Sequence, residues 1–426
     1  MSGDADTIFA LSTAGLPSAI AIMRVSGPES GAALEALAGD LPPPRRATLH
    51  RLRDPADGGA IDQALLLWFP GPDSATGEDV AEFHIHGSRA VAAKLAEALA
   101  GLGLRPAEAG EFTRRAFLNG RIDLSEAEGL GDLLAAETEM QRRHALAIAE
   151  GGLASMVEGW RSELLAAEAR LEAVLNFSDE GDVEEQDESA ALASAGRIAA
   201  EIETTLASPP AERLRDGVRV ALAGPPNAGK STLFNALVAR DAAIVSAMPG
   251  TTRDVIEAPV VIGGIAFLLS DTAGLRLGAD AIEEEGVRRA RLAFEAADIV
   301  FWLGTPDEAP QDERGVRLRP KADLGGQADD RLGISAVSGE GLDELRRLLI
   351  DRARSMLPRP DQLALNQRQR TALAAARDRL AEARPGDWVL LAESLRRARA
   401  ELDRLSGRHG VEDMLDALFG QFCIGK

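Results

Sequence analysis

Eight consecutive residues carry the most specific chemistry in this chain. Gly224-Pro225-Pro226-Asn227-Ala228-Gly229-Lys230-Ser231 fits the pattern G-x-x-x-x-G-K-S. Backbone N–H groups of such a loop wrap phosphate oxygens, and the helix that follows adds the partial positive charge of its N-terminus. Lys230 is placed to reach the β- and γ-phosphates and Ser231 to ligate Mg²⁺, while Asn227, Ala228, Gly229 and Thr232 complete the cradle. The flanks agree: residues 218–223 are an apolar, strand-like run and residues 231–237 have helical character. The expected ligand is a nucleoside triphosphate with Mg²⁺.

A second group of residues narrows that chemistry. Two strand-like runs, 260–262 and 265–269, flank the turn Gly263-Gly264, and the second leads into Asp271-Thr272-Ala273-Gly274. A carboxylate at that strand end can hold Mg²⁺ through water, and the glycine lets backbone approach the γ-phosphate. Between loop and strand lies Gly250-Thr251-Thr252-Arg253-Asp254, with a threonine available as the second protein ligand of Mg²⁺. Loop, threonine and D-x-x-G in this order resemble the switch system of small GTPases. Where those proteins carry N-K-x-D, this chain has Pro320-Lys321-Ala322-Asp323. Asp323 can accept from two guanine donors and the Lys321 stem can lie over the base, but Pro320 brings neither an amide side chain nor an N–H. Ser335-Ala336 resembles the motif whose backbone N–H reads guanine O6. Guanine is the expected base, because adenine would leave Asp323 without its donor pair; the proline is expected to weaken affinity.

Hydrolysis needs an arrangement unlike that of Ras. Leu275 stands where Ras-like enzymes place a water-orienting glutamine, and an apolar side chain cannot polarise water. Asn227 offers an amide oxygen to a monovalent cation, which would neutralise developing charge as an arginine finger does, for roughly 10³–10⁵-fold in rate. Glu283, in the run Glu283-Glu284-Glu285, could orient water; equally, that run reads as the solvated start of a helix, where acids suit the dipole.

The elements that must position these groups follow from periodicity. Residues 1 to about 120 mix strand-like runs (20–25, 64–69, 80–85) with a helix near 91–102, an α+β pattern. From Ser125, read as a helix start, to about Leu206 the chain is rich in Ala, Leu and Glu at helical spacing, interrupted by an acidic loop over 178–189. A nucleotide-binding α/β block follows, and after Arg359-Pro360 a second helical tract runs to about Phe419. The pattern implies three parts: an α+β domain (1–121), a discontinuous helical domain (122–215 and 356–426) and a Ras-like P-loop domain inserted in it (216–355).

Motifs at both ends resemble one family, the bacterial tRNA-modification GTPases of the MnmE (TrmE) type, over essentially the full length. They include Asp6-Thr7-Ile8, Ile22-Met23-Arg24-Val25-Ser26-Gly27, Trp68-Phe69-Pro70-Gly71-Pro72, Thr76-Gly77-Glu78-Asp79-Val80, Gly110-Glu111-Phe112-Thr113 and Arg115-Ala116-Phe117-Leu118-Asn119-Gly120. The ending Phe422-Cys423-Ile424-Gly425-Lys426 is similar to the family's terminal signature. The resemblance implies a potassium site at Asn227, Ser246, Met248 and Thr251, Mg²⁺ ligands Ser231 and Thr252, and Glu283 as the residue orienting water. Ser246 stands where threonine is expected, with the hydroxyl kept. It also implies a folate pocket at Arg24, Glu82, Arg121 and Lys426, which would take 5,10-methylenetetrahydrofolate (5-formyltetrahydrofolate as analogue). Arg121 replaces the usual lysine, keeping charge but changing shape. Implied partners are a second copy through the N-terminal domains and an FAD-containing protein, MnmG (GidA), in a heterotetramer. The implied reaction is addition of a carboxymethylaminomethyl or aminomethyl group at C5 of the wobble uridine of tRNA.

Composition sets limits on these expectations. A chain of 426 residues exceeds one ordinary core. The first residues are acidic where a signal peptide needs basic charge, and no apolar run reaches membrane length, so a cytoplasmic, membrane-free protein is expected. The single cysteine excludes an internal disulfide. Cys423 sits fourth from the end, but Gly425 and Lys426 fit a prenylation box poorly; as a thiol on a tether jointed at Gly425 it could serve chemistry or docking, or be an ordinary cysteine. A net charge of −21 repels RNA, so much of the tRNA affinity is expected from the partner. The arginine clusters Arg114-Arg115, Arg142-Arg143 and Arg396-Arg397 with Arg399 read as polar helix faces. Two rival readings stay open at this point: an Era-type ribosome-assembly or signalling switch, and a folate one-carbon transferase with a regulatory nucleotide domain.

Overall fold

The computed structural model describes residues 6–176, 185–241, 256–271, 292–309, 311–325, 330–408, 418–420, 422 and 425. They fall into two units, the described residues of Met1–Gly131 with Asp403–Lys426, and those of Asp132–Leu402.

The first unit is built on a six-stranded sheet. Its strands are β1 (Ile8–Leu11), β2 (Ser18–Ser26), β3 (Thr48–Arg53), β4 (Ala60–Phe69), β5 (Val80–Gly87) and β6 (Arg105–Pro106), in the order β3-β4-β5-β2-β1-β6. Alternation decides its two faces. Ala21, Met23 and Val25 of β2, Ala81, Phe83 and Ile85 of β5, and Ala64, Leu66 and Trp68 of β4 are buried in one core. That core also takes Ala33, Leu34 and Leu37 of α1 (Ser30–Ala38) and Leu95, Ala98 and Leu99 of α2 (Arg89–Gly101). The alternate residues, among them Arg24, Glu82 and His84, therefore share the opposite face. Helices α3 (Glu111–Leu118) and α4 (Leu124–Ala135) follow. The helix start expected at Ser125 lies earlier: Asp123 Oδ1 accepts from Glu126 N–H at 2.8 Å and Glu126 Oε2 from Asp123 N–H at 2.6 Å, a reciprocal cap in which Asp123 precedes the helix.

The chain's last residues belong to this unit. Phe419 and Phe422 are buried with Leu124 and Ala127. Gly110, at φ +67°, faces the Phe419 backbone so closely that a Cβ would lie 2.3 Å from its carbonyl oxygen. Gly425 is equally constrained: φ is +96°, and a Cβ would lie 2.4 Å from the Leu11 carbonyl oxygen. Read from sequence as a flexible joint, Gly425 is instead a seat, fixed by Ser12 Oγ donating to its carbonyl at 3.0 Å.

The second unit contains helices and a second sheet. Helix α5 (Glu139–Ala149) is capped by Thr138 with Gln141; α6 (Gly152–Asn176), α7 (Glu185–Leu206) and α8 (Ala211–Arg215) lead to the sheet. Glu185–Ser189, expected in the acidic loop, are already helical, since Ala191, Ala195, Ile198 and Ile202 give that stretch a buried face. Trp160 Nε1 donates to Glu201 Oε2 at 2.7 Å, and Arg399 Nε donates to the buried Glu168 at 2.9 Å, tying α6 to α7 and to the helix containing Arg399. Arg399 is therefore more than part of a solvated face. The sheet is β7 (Val218–Ala223), β8 (Ile256–Ile262), β9 (Ile265–Asp271), β10 (Ile299–Trp302), β11 (Gly315–Arg319) and β12 (Leu332–Gly333), ordered β12-β11-β10-β7-β9-β8. Among the described residues of this sheet, only the hairpin β8–β9, turning at Gly263-Gly264, is antiparallel. Parallel strands with helices between them put a ligand site at their C-terminal ends.

Candidate active site

The phosphate loop leaves the C-terminal end of β7 and opens helix α9 (Lys230–Asp241). The sequence folds this way because Val218, Val220 and Leu222 bury on one side of β7 while Leu233, Phe234 and Leu237 anchor the helix to the same core. Asn227 takes φ +61°, a left-handed residue inside the loop. Lys230 is buried, and its Nζ donates to the carbonyls of Gly224 at 2.7 Å and Pro225 at 2.9 Å, which holds the ammonium against the loop. Ser231 and Thr232 are exposed in the first turn of the helix, where N–H groups lack intrahelical partners.

The other described groups gather around this loop. Asp271 is buried at the end of β9, in register with Leu222 of β7. Lys321, also left-handed at φ +57°, donates from Nζ to the Asn227 carbonyl at 3.0 Å, so the base-reading run is tied directly to the phosphate loop. Asp323 is exposed two residues on. Ser335 is buried; its N–H donates to the Glu340 carbonyl at 2.9 Å and its Oγ accepts from Ser338 N–H at 3.1 Å, while Ala336 packs on the core. Two backbone bonds, Ile334 N–H to the Arg319 carbonyl at 2.9 Å and Ala322 N–H to the Ile334 carbonyl at 3.1 Å, brace the two loops across the position of Pro320. Ser246, Met248, Thr251, Thr252, Thr272, Ala273, Gly274 and Glu283 lie outside the described residues, as do Cys423 and Lys426. A nucleotide phosphate fits what is present: a helix N-terminus, a buried ammonium and a left-handed loop.

A second cleft, of about 310 Å³, lies in the first unit, lined by Ser12, Ile22, Arg24, Thr76 and Phe112 among others. Arg24 and Glu82 stand opposite each other on β2 and β5, and Arg24 donates from Nε and Nη2 to Glu82 Oε1 at 3.1 and 2.8 Å. His84 Nε2 lies 3.1 Å from Glu82 Oε2. Burial pushes the Glu82 carboxyl up, but hydrogen bonds from His84 and Arg24 outweigh it and hold it below the usual carboxylate range. The guanidinium of Arg24 also lies 5.9 Å from the centroid of the Phe112 ring. Gly425, through Ser12, is brought beside this cleft. Arg121 stands apart: it is 3.6 Å from Asp73 and does not line the cleft.

Sequence reasoning missed His84, although period-two alternation from Glu82 in β5 points to it. It also missed Ser12, for which no local signal exists, and it noted Thr76 and Phe112 only within motifs, not as cleft residues. The Arg114-Arg115 cluster was expected on a polar face; Arg115 is buried instead. It donates to Asp6, Glu78 and Glu111 at 2.8–3.2 Å, while Arg105 binds Asp6 and Glu111. Ser26 Oγ meets Thr76 Oγ1 and Glu78 Oε2, both at 2.7 Å. Five separated sequence motifs thus meet in one polar knot that fixes the floor of the first unit's sheet to α3.

Among the described residues no helix is long and apolar enough to cross a membrane, and no cluster of three or more His, Cys, Asp or Glu is placed to hold a metal. The family model for the GTP-binding protein TrmE N-terminus matches residues 7–121, and that for the MnmE helical domain matches residues 124–423. Proteins called tRNA modification GTPase MnmE are close relatives. That of Sphingopyxis alaskensis is 56% identical over 95% of this chain and 100% of its own, and that of Rhizorhabdus wittichii 56% over 99% and 97%. The one from Erythrobacter litoralis is 54% identical over 99% and 100%. Among solved structures, the G domain of the T. maritima FeoB iron transporter is 27% identical over 32% of this chain and 98% of that chain, with a TM-score of 0.24. Matched along nearly its whole length, the chain belongs to the MnmE family of tRNA modification GTPases.

Proposed function

We propose that this GTPase binds GTP at the Lys230 loop and couples its hydrolysis to modification of the wobble uridine of tRNA. The observation that carries the nucleotide half is the contact between Lys321 and the Asn227 carbonyl, which joins base reading to phosphate binding in one site. Ser231 and Thr252 would hold Mg²⁺, and Asn227, Ser246, Met248 and Thr251 would hold potassium in place of an arginine finger. Glu283 would orient the attacking water that Leu275 cannot polarise. Asp323 would accept from guanine N1–H and the exocyclic amine and Ser335-Ala336 would face O6, while the two backbone braces around Pro320 hold the loop and the missing asparagine weakens affinity.

The Arg24 cleft supports a folate site. It is of a size for one ring system, and Arg24 in its wall is paired with Glu82, whose ionised carboxylate would accept from pterin N–H donors. Arg24 stands beside it as a cation, and Arg121 and Lys426 would serve the glutamate tail. When bound, 5,10-methylenetetrahydrofolate supplies the one-carbon unit. Cys423 and Lys426 would act in the same chemistry. A second copy would pair through the first unit, and a flavoprotein of the MnmG type, carrying FAD, would supply redox chemistry and much of the affinity for tRNA. Mass analysis of wobble uridines in tRNA from cells lacking the protein tests the modification: unchanged C5 modification overturns it. For the nucleotide half, GTP turnover should be at least about tenfold faster in potassium than in sodium at matched ionic strength. Equal rates would remove Asn227 as a cation ligand.

A further inference from the structure

Helix α5 carries two groups that neither site uses, the Gln141 amide and the His144 ring. The polypeptide enters the nucleotide-binding lobe through α8 and leaves it through residues 357–366. These two passages are tied together. Ala211 N–H donates to the Leu365 carbonyl at 2.9 Å, and Gln367 N–H to Glu212 Oε1 at 2.7 Å. Arg370 donates to the carbonyls of Ser208 and Leu206 at 2.8 and 2.7 Å.

Helix α5 grips both passages. Gln141 Nε2 donates to the carbonyls of Leu214 and Arg215 at 3.0 and 3.1 Å. These are the last carbonyls of α8, which helix geometry leaves without internal partners. His144, 6% exposed, hydrogen-bonds the backbone of Gln362 in the exit passage. Met140 of the same helix packs against the lobe's core. Between them is a small cavity of about 30 Å³, lined by Asp132, Gln141, His144, Leu214, Arg215 and Ala364. His144 Nε2 is buried without a hydrogen-bond partner among the described residues. An ordinary linker between moving parts is exposed, polar and poor in contacts. Here Ser208, Ala211, Leu214, Leu357, Ala364 and Leu365 are buried, and a single helix grips both passages.

We propose that α5 is the lever of the molecule, with Gln141 the positioning residue that fixes the lobe's entry to it, so that a nucleotide-driven reorientation of the lobe moves α5. The proposal rests on the reading that the Lys230 lobe binds guanine nucleotide and changes state on hydrolysis. Coupling of this kind needs a physical element whose placement the nucleotide lobe biases, and α5 is held by both chain passages of the lobe.

Gln141→Glu isolates the contact. Its carboxylate still accepts from Thr138 N–H, as Gln141 Oε1 does at 2.8 Å, so the cap of α5 survives. The acid also suits the first turn, but it cannot donate, and it faces two carbonyls. Hydrogen–deuterium exchange is measured on the full chain with GDP, and with GDP–aluminium fluoride plus potassium. In the parent protein, residues 143–149 should differ between the two states by about threefold or more in exchange rate. In Gln141→Glu that difference should vanish, while labelled-GDP affinity stays within about threefold and wobble-uridine modification falls by about tenfold. If the difference persists in the variant, or never arises in α5 of the parent, the lever is wrong. A parent protein that binds no labelled GDP sinks instead the nucleotide reading beneath it, and the titration tells these apart. Should Gln141→Glu not fold, Gln141→Met removes the donor together with the Oε1 of the cap, and Thr138→Ala, which weakens the cap but keeps the donor, supplies the comparison.

Discussion

The two candidate sites are built in opposite ways. At the phosphate loop, one stretch of eight residues supplies most of the candidate groups, many of them backbone N–H at a helix start. At the Arg24 cleft, Ile22 and Arg24 of β2, Phe112, Thr113 and Ala116 of α3, the turn near Thr76 and Ser12 form the walls, and Ser12 in turn holds the Gly425 carbonyl. The first site depends on local conformation, and the second on register and long-range packing. A local site tolerates change elsewhere in the chain; an assembled one can be broken from any of its contributors.

That contrast can be tested from both sides. The largest effect should come from Lys230→Ala, which removes the cation held at 2.7 Å from the Gly224 carbonyl. GTP hydrolysis should fall by roughly 10²–10³-fold, while binding of 5-formyltetrahydrofolate, followed by calorimetry, stays unchanged. Loss of both would mean that the two sites are not independently built. Next is Gly425→Ala, far in sequence from the cleft. With φ at +96° and a Cβ 2.4 Å from the Leu11 oxygen, the terminus must leave its seat. Backbone strain of about 1–3 kcal/mol adds to that overlap. Wobble-uridine modification should drop by about tenfold or more, with hydrolysis within about twofold of the parent. Intact modification would reduce the terminal seat to ordinary packing.

Glu82→Gln sharpens the comparison further. It removes the charge shared by Arg24 and His84 and should weaken folate-analogue binding by about five- to tenfold. The folded carboxyl titrates below its ordinary value of 4.5. The charge is therefore present throughout the neutral range, and its contribution is lost only as pH falls below that value. A parent affinity that declines between pH 7 and 6 would point to a different group.

The smallest effect concerns His144. Burial pushes its ring down from 6.5, against a backbone hydrogen bond at Gln362 that raises it, and Asp132 and Arg215 line the same cavity. The unfolded chain therefore binds a proton that the folded chain refuses. Stability is complete above about pH 6.5 and is lost as pH falls through and below it. In His144→Gln, melting temperatures measured from pH 7 to 5 should fall less steeply than in the parent. Identical slopes would leave the ring without a titrating role.

Much of this was legible in the residues. The strand–loop–helix at Lys230, the hairpin at Gly263-Gly264, and the separation of an α+β beginning from a helical tract all follow from short-range pattern. The misses have two causes, one distant and one local. Arg115 looked like one half of a charged pair on a helix face. Its burial depends on Asp6, Glu78 and Glu111, up to 109 residues away in sequence. The helix start moved from Ser125 to Asp123 because the reciprocal cap with Glu126 is stronger than a lone serine.

By itself, then, the sequence singled out the candidate groups that lie within one or two turns of chain: the Gly224–Ser231 loop, Lys230 within it, and Asp323 as the candidate for the base. Only the tertiary structure decided which strand faces share a cleft, that Gly425 is seated against Leu11, and that α5 grips both passages of the lobe. The reason is physical. Backbone conformation and helix-end charge are set by near neighbours, whereas burial, register and pKa are set by whatever the rest of the chain brings alongside.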